Sequence, residues 1–354
     1  MKAIAIAPGR PETADLIELP EPPESDGTLL VQTRLIGMCG TDREIAEEGY
    51  GSPPPGADRL VLGHESLGEV IEAPEGSGFA PGDLIAGVVR RPDPLPCAAC
   101  AADEWDMCRR GDFVELGIKD RHGYGSERFR LDPRFAVGVS PALGDLGVLV
   151  EPMSVVAKAF EHVERIAARA WFESRVALVT GAGPIGLLAA LLARQRGLDT
   201  HVLDRATEGP KPRLVTDLGA EYHSIPAAEL PLRPDIVIEC TGVGEVVIAA
   251  VHLAAPGAVV ALTGISHSQR AGEAYLDALN KDLVLGNKAV FGTVNAARRH
   301  YDQAAAALAA ADPDWLTQLI TRRLPAAEWP KALHKGPEDI KIVVDMAASN
   351  GSLA

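Results

Sequence analysis

Three of the chain's five cysteines, Cys97, Cys100 and Cys108, lie within twelve positions at the spacing Cys-x2-Cys-x7-Cys. Thiolates at such spacing are typical zinc ligands, and a structural zinc site is usually closed by four ligands. The cluster therefore predicts a structural metal site whose fourth ligand must come from another residue type. The alternative is a loop that carries three free thiols.

A second set of metal-ligand residues is dispersed along the chain. Cys39 lies in GMCGTD, His64 and Glu65 in GHES, and Glu151 in VEPMSV. A catalytic zinc uses three protein ligands of the S, N and O types and keeps one open position. Cys39, His64 and Glu151 supply such a set, with Glu65 as an exchangeable ligand or as a group behind the ligands. The alternative is a cysteine in the core and a structural histidine.

The motif GAGPIG, which runs from Gly181 to Gly186, lies between the apolar segment RVALVT and the helical pattern IGLLAALLARQ. Gly181 permits a tight turn, Gly183 lets the backbone approach a pyrophosphate, and Gly186 allows close packing of helix and strand. A helix N-terminus adds positive potential for the phosphates. The motif predicts a dinucleotide site, with Pro184 and Ile185 inside it, and a glycine-rich turn without a ligand is the alternative.

An acidic residue, Asp204, follows the next apolar segment, THVL, about 20 positions after the glycines. A carboxylate at this position accepts hydrogen bonds from the ribose hydroxyls and repels a 2′-phosphate. The basic residues Arg205, Lys211 and Arg213 come soon after it and could bind that phosphate instead. NAD is therefore the first choice, and NADP remains open.

The elements that must position these residues change in type near residue 155. Before it, short strand patterns such as KAIAI and LLVQTRLIG alternate with turn signals rich in Gly and Pro, which is typical of a barrel-like β half. After it, apolar strands alternate with helical patterns, which predicts βαβ units and a doubly wound parallel sheet. A length of 354 residues also favours two domains.

Charge and cysteine usage limit the partners and the compartment. The formal net charge of -15 argues against nucleic acid or an anionic membrane as the partner. The start MKAIAIAPGRPETADL resembles neither a signal peptide nor a membrane anchor. An odd number of cysteines disfavours a disulfide framework, so we predict a cytoplasmic location.

Together, GHESLG at 63–68, PGD at 81–83, the cysteine cluster and GxGxxG at 181 resemble the zinc-dependent medium-chain dehydrogenase family over essentially the whole chain. The resemblance implies an α/β plus β fold. A GroES-like catalytic domain would comprise 1–157, with 297–354 returning to it, and a Rossmann NAD(P)-binding domain would comprise 158–296. It also implies a homo-oligomer, dimer or tetramer, with 289–294 at the subunit contact.

Within that family the chain is similar to the microbial glucose 1-dehydrogenase branch. The segments that carry the similarity are GTDREI at 40–45, LGHE at 62–65, VRRP at 89–92, HGYGSERF at 122–129, EPMSVVAKA at 151–159 and LGNKAVFGTVN at 285–295. This resemblance implies a zinc-dependent enzyme that oxidises the C1 hydroxyl of an aldose, with glucose as the first choice, to the lactone while hydride passes to NAD(P).

The same resemblance implies residue roles. Glu115, Asn295 and Glu151 would contact sugar hydroxyls, and Asn295 and Thr241 would also belong to the cofactor site. Thr41 would pass the proton from the zinc-polarised hydroxyl outward, and Glu65 would assist as substrate replaces water. The alternative for Thr41 is a turn cap.

In the family the cysteine lobe has the pattern Cys-x2-Cys-x2-Cys-x7-Cys, and its first position falls here on Pro94, which cannot bind metal. Asp93 is adjacent and could supply a carboxylate oxygen, an acceptable zinc ligand. Asp103 and Asp106 are other oxygen donors in this loop. We predict a structural zinc with Asp93 as the fourth ligand, and a lobe without metal is the alternative.

Three other functions remain open at this point. A polyol or secondary-alcohol dehydrogenase would share the fold and the zinc chemistry. A biosynthetic dehydrogenase could act on a sugar-like intermediate. A dinucleotide-binding protein without turnover would have little reason to keep Cys39, His64 and Glu151 together as competent ligands.

Overall fold

The computed structural model describes residues 1–266 and 276–347, and the chain separates into two compact units. Unit 1 is Met1–Ser154 with the C-terminal residues from Asn295, and unit 2 is Val155–Val294. The boundaries expected from the family resemblance, after residues 157 and 296, lie three and two residues further along the chain. One continuous helix, Val150–Ala167, runs across the first boundary, so no loop marks it in the sequence.

Unit 1 is built mainly from antiparallel strands. Its strands are Lys2–Ala7, Arg10–Glu18, Leu29–Met38, Leu60–Val61, Glu65–Glu72, Leu84–Gly87, Arg90–Arg91, Val114–Leu116, Asp120–Arg121, Arg128–Leu131, Ala136–Val139, Ile320–Pro325 and Lys341–Asp345. Its α-helices are Gly40–Glu48, Ala98–Ala101, Arg298–Ala309 and Pro313–Thr317, besides the start of Val150–Ala167. Its 3-10 helices are Glu24–Asp26, Trp105–Met107, Pro133–Phe135, Pro141–Leu149 and Ala326–Leu333. The β-rich first half and the Ala-rich helix near residue 300 are confirmed.

The main sheet of unit 1 joins both ends of the chain. The C-terminal strand Lys341–Asp345 pairs antiparallel with Leu29–Met38, which pairs in turn with Glu65–Glu72. Buried and partly buried residues alternate along the first part of Leu29–Met38, as expected for a strand with one face on a core. This pairing brings residues from three distant parts of the sequence together at the same end of neighbouring strands.

Unit 2 is a doubly wound parallel sheet. Its strands are Val176–Thr180, Asp199–Leu203, Glu221–His223, Ile236–Glu239, Val259–Leu262 and Ala289–Gly292. Its α-helices are Pro184–Gln195, Pro210–Asp217, Gly244–Leu253 and Leu276–Gly286, with a 3-10 helix at Ala227–Glu229. Numbered along the chain within the unit, the strands are ordered 3-2-1-4-5-6, which is the Rossmann order and confirms the predicted parallel sheet.

The predicted elements did not include every strand, and Arg10–Glu18, Glu221–His223 and Ile320–Pro325 are three of those that were missed. Each exposes or half-exposes most of its residues, so no run of buried apolar residues announces it. Among the described helices, none combines the length and the apolar character that a membrane span requires.

Candidate functional site

Cys39 and His64 come together at one end of the main sheet of unit 1. Cys39 follows the strand Leu29–Met38 and caps the N-terminus of the helix Gly40–Glu48, where the amide of Thr41 donates to its sulfur at 3.2 Å. The Cys39 Sγ lies 3.0 Å from His64 Nε2. The sulfur and the ring nitrogen are therefore close enough to bind one ion, and both are atom types that bind zinc.

Asp42 supports both of these residues from behind. One carboxylate oxygen accepts from the Cys39 amide at 2.8 Å, and the other lies 3.5 Å from His64 Nδ1. This carboxylate on the far ring nitrogen fixes the imidazole orientation and leaves Nε2 directed at Cys39. Burial opposes a charged ring, but Cys39 and Asp42 outweigh it and raise the pKa of His64 well above its usual value. The surroundings of the His64 ring therefore favour a positive charge at this site.

Glu65 completes a compact cluster of ligand atoms. One atom each from Cys39, His64 and Glu65 lies within 4.8 Å of the others. The ammonium of Lys341 binds both Glu65 oxygens, at 2.7 and 2.5 Å, and also reaches the Met38 carbonyl at 3.3 Å. The Lys341 side chain is almost completely buried, as is that of Glu65. Both oxygens of Glu65 are thus already engaged by a buried cation.

Glu151 lies near this cluster without belonging to it. It is the second residue of the helix Val150–Ala167, and it is buried. Burial is the main cause that raises its pKa to about 7, with Glu65 and Asp42 adding to the shift and His64 opposing it. The structure therefore places a third carboxylate within electrostatic range of His64.

The residues present fit a zinc ion. The cluster offers a thiolate, an imidazole nitrogen and carboxylate oxygens, which are the donor types that zinc takes. The far nitrogen of His64 and the facing oxygen of Asp42 have no hydrogen-bond partner in the described part of the chain and lie against each other. This is the arrangement of a carboxylate that orients a metal-binding histidine.

Sequence reasoning missed two residues of this site. Asp42 is three positions after Cys39, a spacing that marks a capping box and was the available signal. Lys341 is 276 positions from Glu65 and has no local signal.

A buried polar network connects the two residues predicted to bind sugar hydroxyls. One oxygen of Glu115 accepts from Asn295 at 2.8 Å and from two nitrogens of Arg90 at 3.0 and 2.9 Å. Asn295 has a left-handed backbone, with φ 61°, and its amide oxygen accepts from the Ala296 amide. The second oxygen of Glu115 takes part in none of the bonds from Arg90 and Asn295. The network therefore presents a carboxylate acceptor held in a fixed orientation.

The cysteine lobe, residues 93–108, brings its three thiols together. One sulfur each from Cys97, Cys100 and Cys108 lies within 4.8 Å of the others. Backbone amides, first that of Arg109, lower the pKa of Cys97 to about 6, whereas burial raises that of Cys100 to about 11. Amides that converge on a sulfur are typical of a thiolate metal ligand.

Asp93 lies against this cluster. Its Oδ2 accepts from Cys108 Sγ at 3.1 Å, and its buried Oδ1 has no hydrogen-bond partner among the residues described. Asp103, in contrast, is largely exposed and lies 3.8 Å from Arg134, and Asp106 is buried. A buried carboxylate oxygen without a partner, beside three thiols, fits a cation held by this set.

The glycine motif of unit 2 has the geometry of a dinucleotide loop. Gly181 adopts φ 91°, and a Cβ on Gly186 would meet the Gly181 carbonyl oxygen at 1.7 Å. The helix Pro184–Gln195 begins at Pro184, directly after Gly183. Both the turn and the close helix packing therefore require glycine.

Thr241 lies beside this loop. Its methyl group would be 3.0 Å from a Cβ on Gly181, and its amide donates to Glu239 Oε1 at 2.8 Å. The fully buried Glu239 also accepts from the Gly242 amide at 3.1 Å and from the Thr180 hydroxyl at 3.2 Å. Glu239 was not predicted, and it fixes the loop that follows its strand against the glycine motif.

Asp204 is engaged within unit 2. Its oxygens accept from the Ala182 amide at 2.7 Å and the Ala206 amide at 3.0 Å, and Lys211 Nζ lies 3.1 Å from one of them. Burial opposes its ionisation, but these amides and Lys211 prevail and lower the pKa of Asp204. Arg205 and Arg213 are exposed. Lys211 thus partly neutralises the carboxylate predicted to repel a 2′-phosphate.

Comparison with known proteins gives consistent matches over both units. Residues 25–141 match the alcohol dehydrogenase GroES-like domain, and residues 144–346 match the glucose dehydrogenase C-terminus. The glucose 1-dehydrogenase of Methanocella arvoryzae is 38% identical over 98% of this chain and 100% of its own, and that of Thermoproteus tenax is 39% identical over 98% and 99%. A solved structure of Haloferax mediterranei glucose dehydrogenase in complex with NADP, Zn and gluconolactone has a TM-score of 0.90 at 31% identity, covering 98% of this chain and 99% of that one.

Proposed function

This chain belongs to the glucose dehydrogenase family of zinc-dependent medium-chain dehydrogenases, and we propose on that premise that it oxidises the C1 hydroxyl of an aldose to the lactone. Glucose is the first-choice substrate, and NAD(P) is the hydride acceptor. The observation that carries the proposal is the cluster of Cys39, His64 and Glu65, oriented by Asp42. It supplies a site for a Lewis acid in a chain similar over its full length to glucose 1-dehydrogenases.

Cys39, His64 and Glu151 hold the catalytic zinc in this proposal. Lys341 engages both oxygens of Glu65, which leaves Glu151 as the carboxylate better able to take a ligand position. A bound cation would also provide the opposite charge that a buried Glu151 needs to ionise. Glu65 then stays beside the ligands, where it can replace one of them only if Lys341 releases it.

The chain's own groups orient the site and move the proton. When bound, the zinc supplies a Lewis acid that lowers the pKa of a hydroxyl, and the dinucleotide accepts the hydride. Asp42 keeps the His64 ring in one orientation and, through the Cys39 amide, holds the start of the helix. Thr41, next but one to Cys39, is proposed to relay the proton of the C1 hydroxyl: its hydroxyl oxygen accepts that proton while its own hydroxyl proton passes outward to water.

The buried network of Arg90, Glu115 and Asn295 supports a polyhydroxylated substrate. A buried carboxylate held by an arginine and an amide can accept from sugar hydroxyls, and it would be left without that partner by an apolar alcohol. Arg90 pairs with Glu115 at 2.9 Å and provides the opposite charge in this buried position. The proposed contacts of Glu115, Asn295 and Glu151 with the sugar rest on this network and on the resemblance.

The test is a spectrophotometric assay that crosses NAD and NADP with a panel of aldoses and polyols, with and without a chelator. We expect cofactor reduction with glucose that the chelator abolishes. Faster reduction with sorbitol than with any aldose would favour the second candidate, a polyol dehydrogenase of the same fold. Absence of reduction with every pair would refute the proposed activity.

The cofactor proposal extends to both dinucleotides. Gly181, Gly183, Pro184, Ile185 and Gly186 would bind the pyrophosphate, with Thr241 and Asn295 as further contacts. Since Lys211 pairs with Asp204, the carboxylate can accept from ribose hydroxyls without fully excluding a 2′-phosphate. Arg205 is exposed beside it and is available to bind that phosphate.

We predict that Lys211→Met lowers the ratio of kcat/KM for NADP to that for NAD by about tenfold, because an unpaired Asp204 charge repels the 2′-phosphate. Asp204→Asn should raise the same ratio. Lys281→Met, a change at an exposed lysine of the same unit, is the matched control and should leave the ratio unchanged. Initial rates with each cofactor at saturating glucose measure it, and an unaltered ratio in Lys211→Met would contradict the prediction.

A structural zinc in the cysteine lobe, held by Cys97, Cys100, Cys108 and Asp93, is supported by the buried oxygen of Asp93. We predict that Asp93→Ala weakens zinc at this site by at least about tenfold, because one of four ligands is lost. Asp103→Asn, at an exposed carboxylate of the same loop whose φ of 59° asparagine tolerates, should have no effect. Zinc per chain, measured after dialysis against a weak chelator, compares the two variants, and equal zinc in both would exclude Asp93 as the fourth ligand.

We further propose a homo-oligomer and a cytoplasmic location. The strand Ala289–Gly292 is an edge of the unit 2 sheet, and Val290 and Val294 are exposed there. An uncovered apolar edge favours pairing with a second copy, and light scattering would distinguish dimer from tetramer.

None of the five cysteines forms a disulfide within the residues described, which supports a reducing compartment.

A further inference from the structure

Four polar side chains share one face of the unit 2 sheet at its edge. The strands Asp199–Leu203 and Glu221–His223 pair in parallel, with His201 opposite Glu221 and Leu203 opposite His223. Because side chains two residues apart on a strand lie on the same face, His201 and Asp199 share a face with Glu221 and His223. The register of two strands thus gathers two imidazoles and two carboxylates.

The donor atoms of three of these side chains face one another. His201 Nδ1 lies 3.0 Å from His223 Nε2 and 3.6 Å from a Glu221 oxygen, and His223 Nε2 lies 3.8 Å from the other Glu221 oxygen. A tetrahedral zinc with bonds of about 2.0–2.1 Å separates neighbouring ligand atoms by roughly 3.3 Å. One donor atom of each residue lies within 4.8 Å of the other two, so the three groups are close enough to share one ion.

Asp199 lies at the other nitrogen of His201. Its carboxylate oxygen is 3.6 Å from His201 Nε2, whereas Nδ1, the other ring nitrogen, faces His223 and Glu221. A carboxylate on the far nitrogen of a histidine is the usual companion of a metal-binding imidazole. The Asp199 and Glu221 side chains are 71% and 66% exposed, whereas those of both histidines are nearly buried, which leaves an open side for water ligands.

We propose that His201, His223 and Glu221 bind one divalent transition-metal ion, with Asp199 as a positioning residue for His201. Two imidazoles and a carboxylate suit zinc, nickel, cobalt or copper better than magnesium or calcium, which prefer oxygen ligands. All four residues lie in unit 2, and none belongs to the cysteine-containing clusters of unit 1.

The ion would fasten a short edge strand to its neighbour. Glu221–His223 has only three residues, and its pairing with Asp199–Leu203 holds the chain around the cofactor site, because the Asp204 amide donates to the His223 carbonyl at 3.0 Å. An ion that binds only the folded strands stabilises them by mass action. Metal binding here should therefore raise the thermal stability of unit 2.

The test is a titration of the zinc-loaded, full-length protein with Zn²⁺ against a chromophoric chelator. We expect the wild type to bind one zinc per chain more than His223→Gln, whatever the other two clusters hold. Asp199→Asn should weaken that zinc by about 10- to 100-fold, as loss of a carboxylate behind a ligand does. His334→Gln, at an exposed histidine of unit 1, is the matched control and should bind as the wild type does.

Added zinc should also raise the melting temperature of the wild type and of His334→Gln, but not that of His223→Gln. Equal zinc binding by the wild type and a folded His223→Gln would overturn the proposal. Should His223→Gln fail to fold, Glu221→Gln, at an exposed residue, is the variant to measure. Weaker zinc binding than the wild type would support the site, and unchanged binding would refute it.

Discussion

Replacement of Cys39 by alanine should lower kcat for glucose oxidation by at least about a thousandfold and should remove one zinc ion per chain. The Lewis acid contributes several kcal/mol to the transition state, and each 1.36 kcal/mol is worth about tenfold in rate. Cys39 supplies the only sulfur ligand in the His64 cluster of the described residues, and its sulfur also accepts a hydrogen bond from the Thr41 amide at the start of the next helix. Its loss therefore removes a ligand and loosens the helix start that carries Asp42.

Cys240→Ala is the matched control for the loss of one thiol. Cys240 lies in unit 2, and burial raises its pKa to about 12, so it remains a neutral thiol at physiological pH. The control should keep the full zinc content. Steady-state rates and zinc analysis on the same samples test the prediction, and a Cys39→Ala variant with wild-type turnover and zinc would rule out the proposed ligand set.

The fold of unit 2 was predictable because its signals are local. Apolar runs such as VALVT mark strands that are buried on both faces, and GAGPIG requires glycine for reasons of backbone geometry. The strand Glu221–His223 lacked such a signal, since a three-residue polar edge strand buries no continuous apolar run. Its histidine was therefore invisible as a partner of His201 until the register was known.

The site of unit 1 was predictable only as a set of ligand types. Cys39, His64 and Glu65 could be chosen for their chemistry, but their support depends on pairing across distant segments. Glu65 stands opposite Gly37, and Ile342 stands opposite Met38 on the other side of the same strand. That double pairing brings Lys341 to Glu65, and a lysine at the start of KIVVD otherwise looks like an ordinary strand-end residue.

Lys341→Met should destabilise unit 1 by about 3 to 5 kcal/mol, because it leaves the buried carboxylate of Glu65 without its cation. The side chains of Lys341 and Glu65 are 1% and 3% exposed, so solvent cannot replace the lost partner. Turnover should fall as well, since Glu65 lies beside Cys39 and His64 and, once released by Lys341, could displace a zinc ligand. Urea unfolding of the zinc-loaded protein, followed by tryptophan fluorescence, measures the change. The signal reports mainly on unit 1, which contains the buried Trp105, Trp315 and Trp329.

The double variant Glu65→Gln with Lys341→Met separates charge from packing. If the cost of Lys341→Met comes from the unpaired charge, removal of that charge should restore most of the stability, while turnover stays low because the carboxylate is gone. Lys331→Met is the matched control: this lysine is 65% exposed and pairs with Glu328 at 2.6 Å, so its loss should cost less than about 1 kcal/mol. A double variant as unstable as Lys341→Met would mean that the lysine stem, and not its charge, stabilises this end of the sheet.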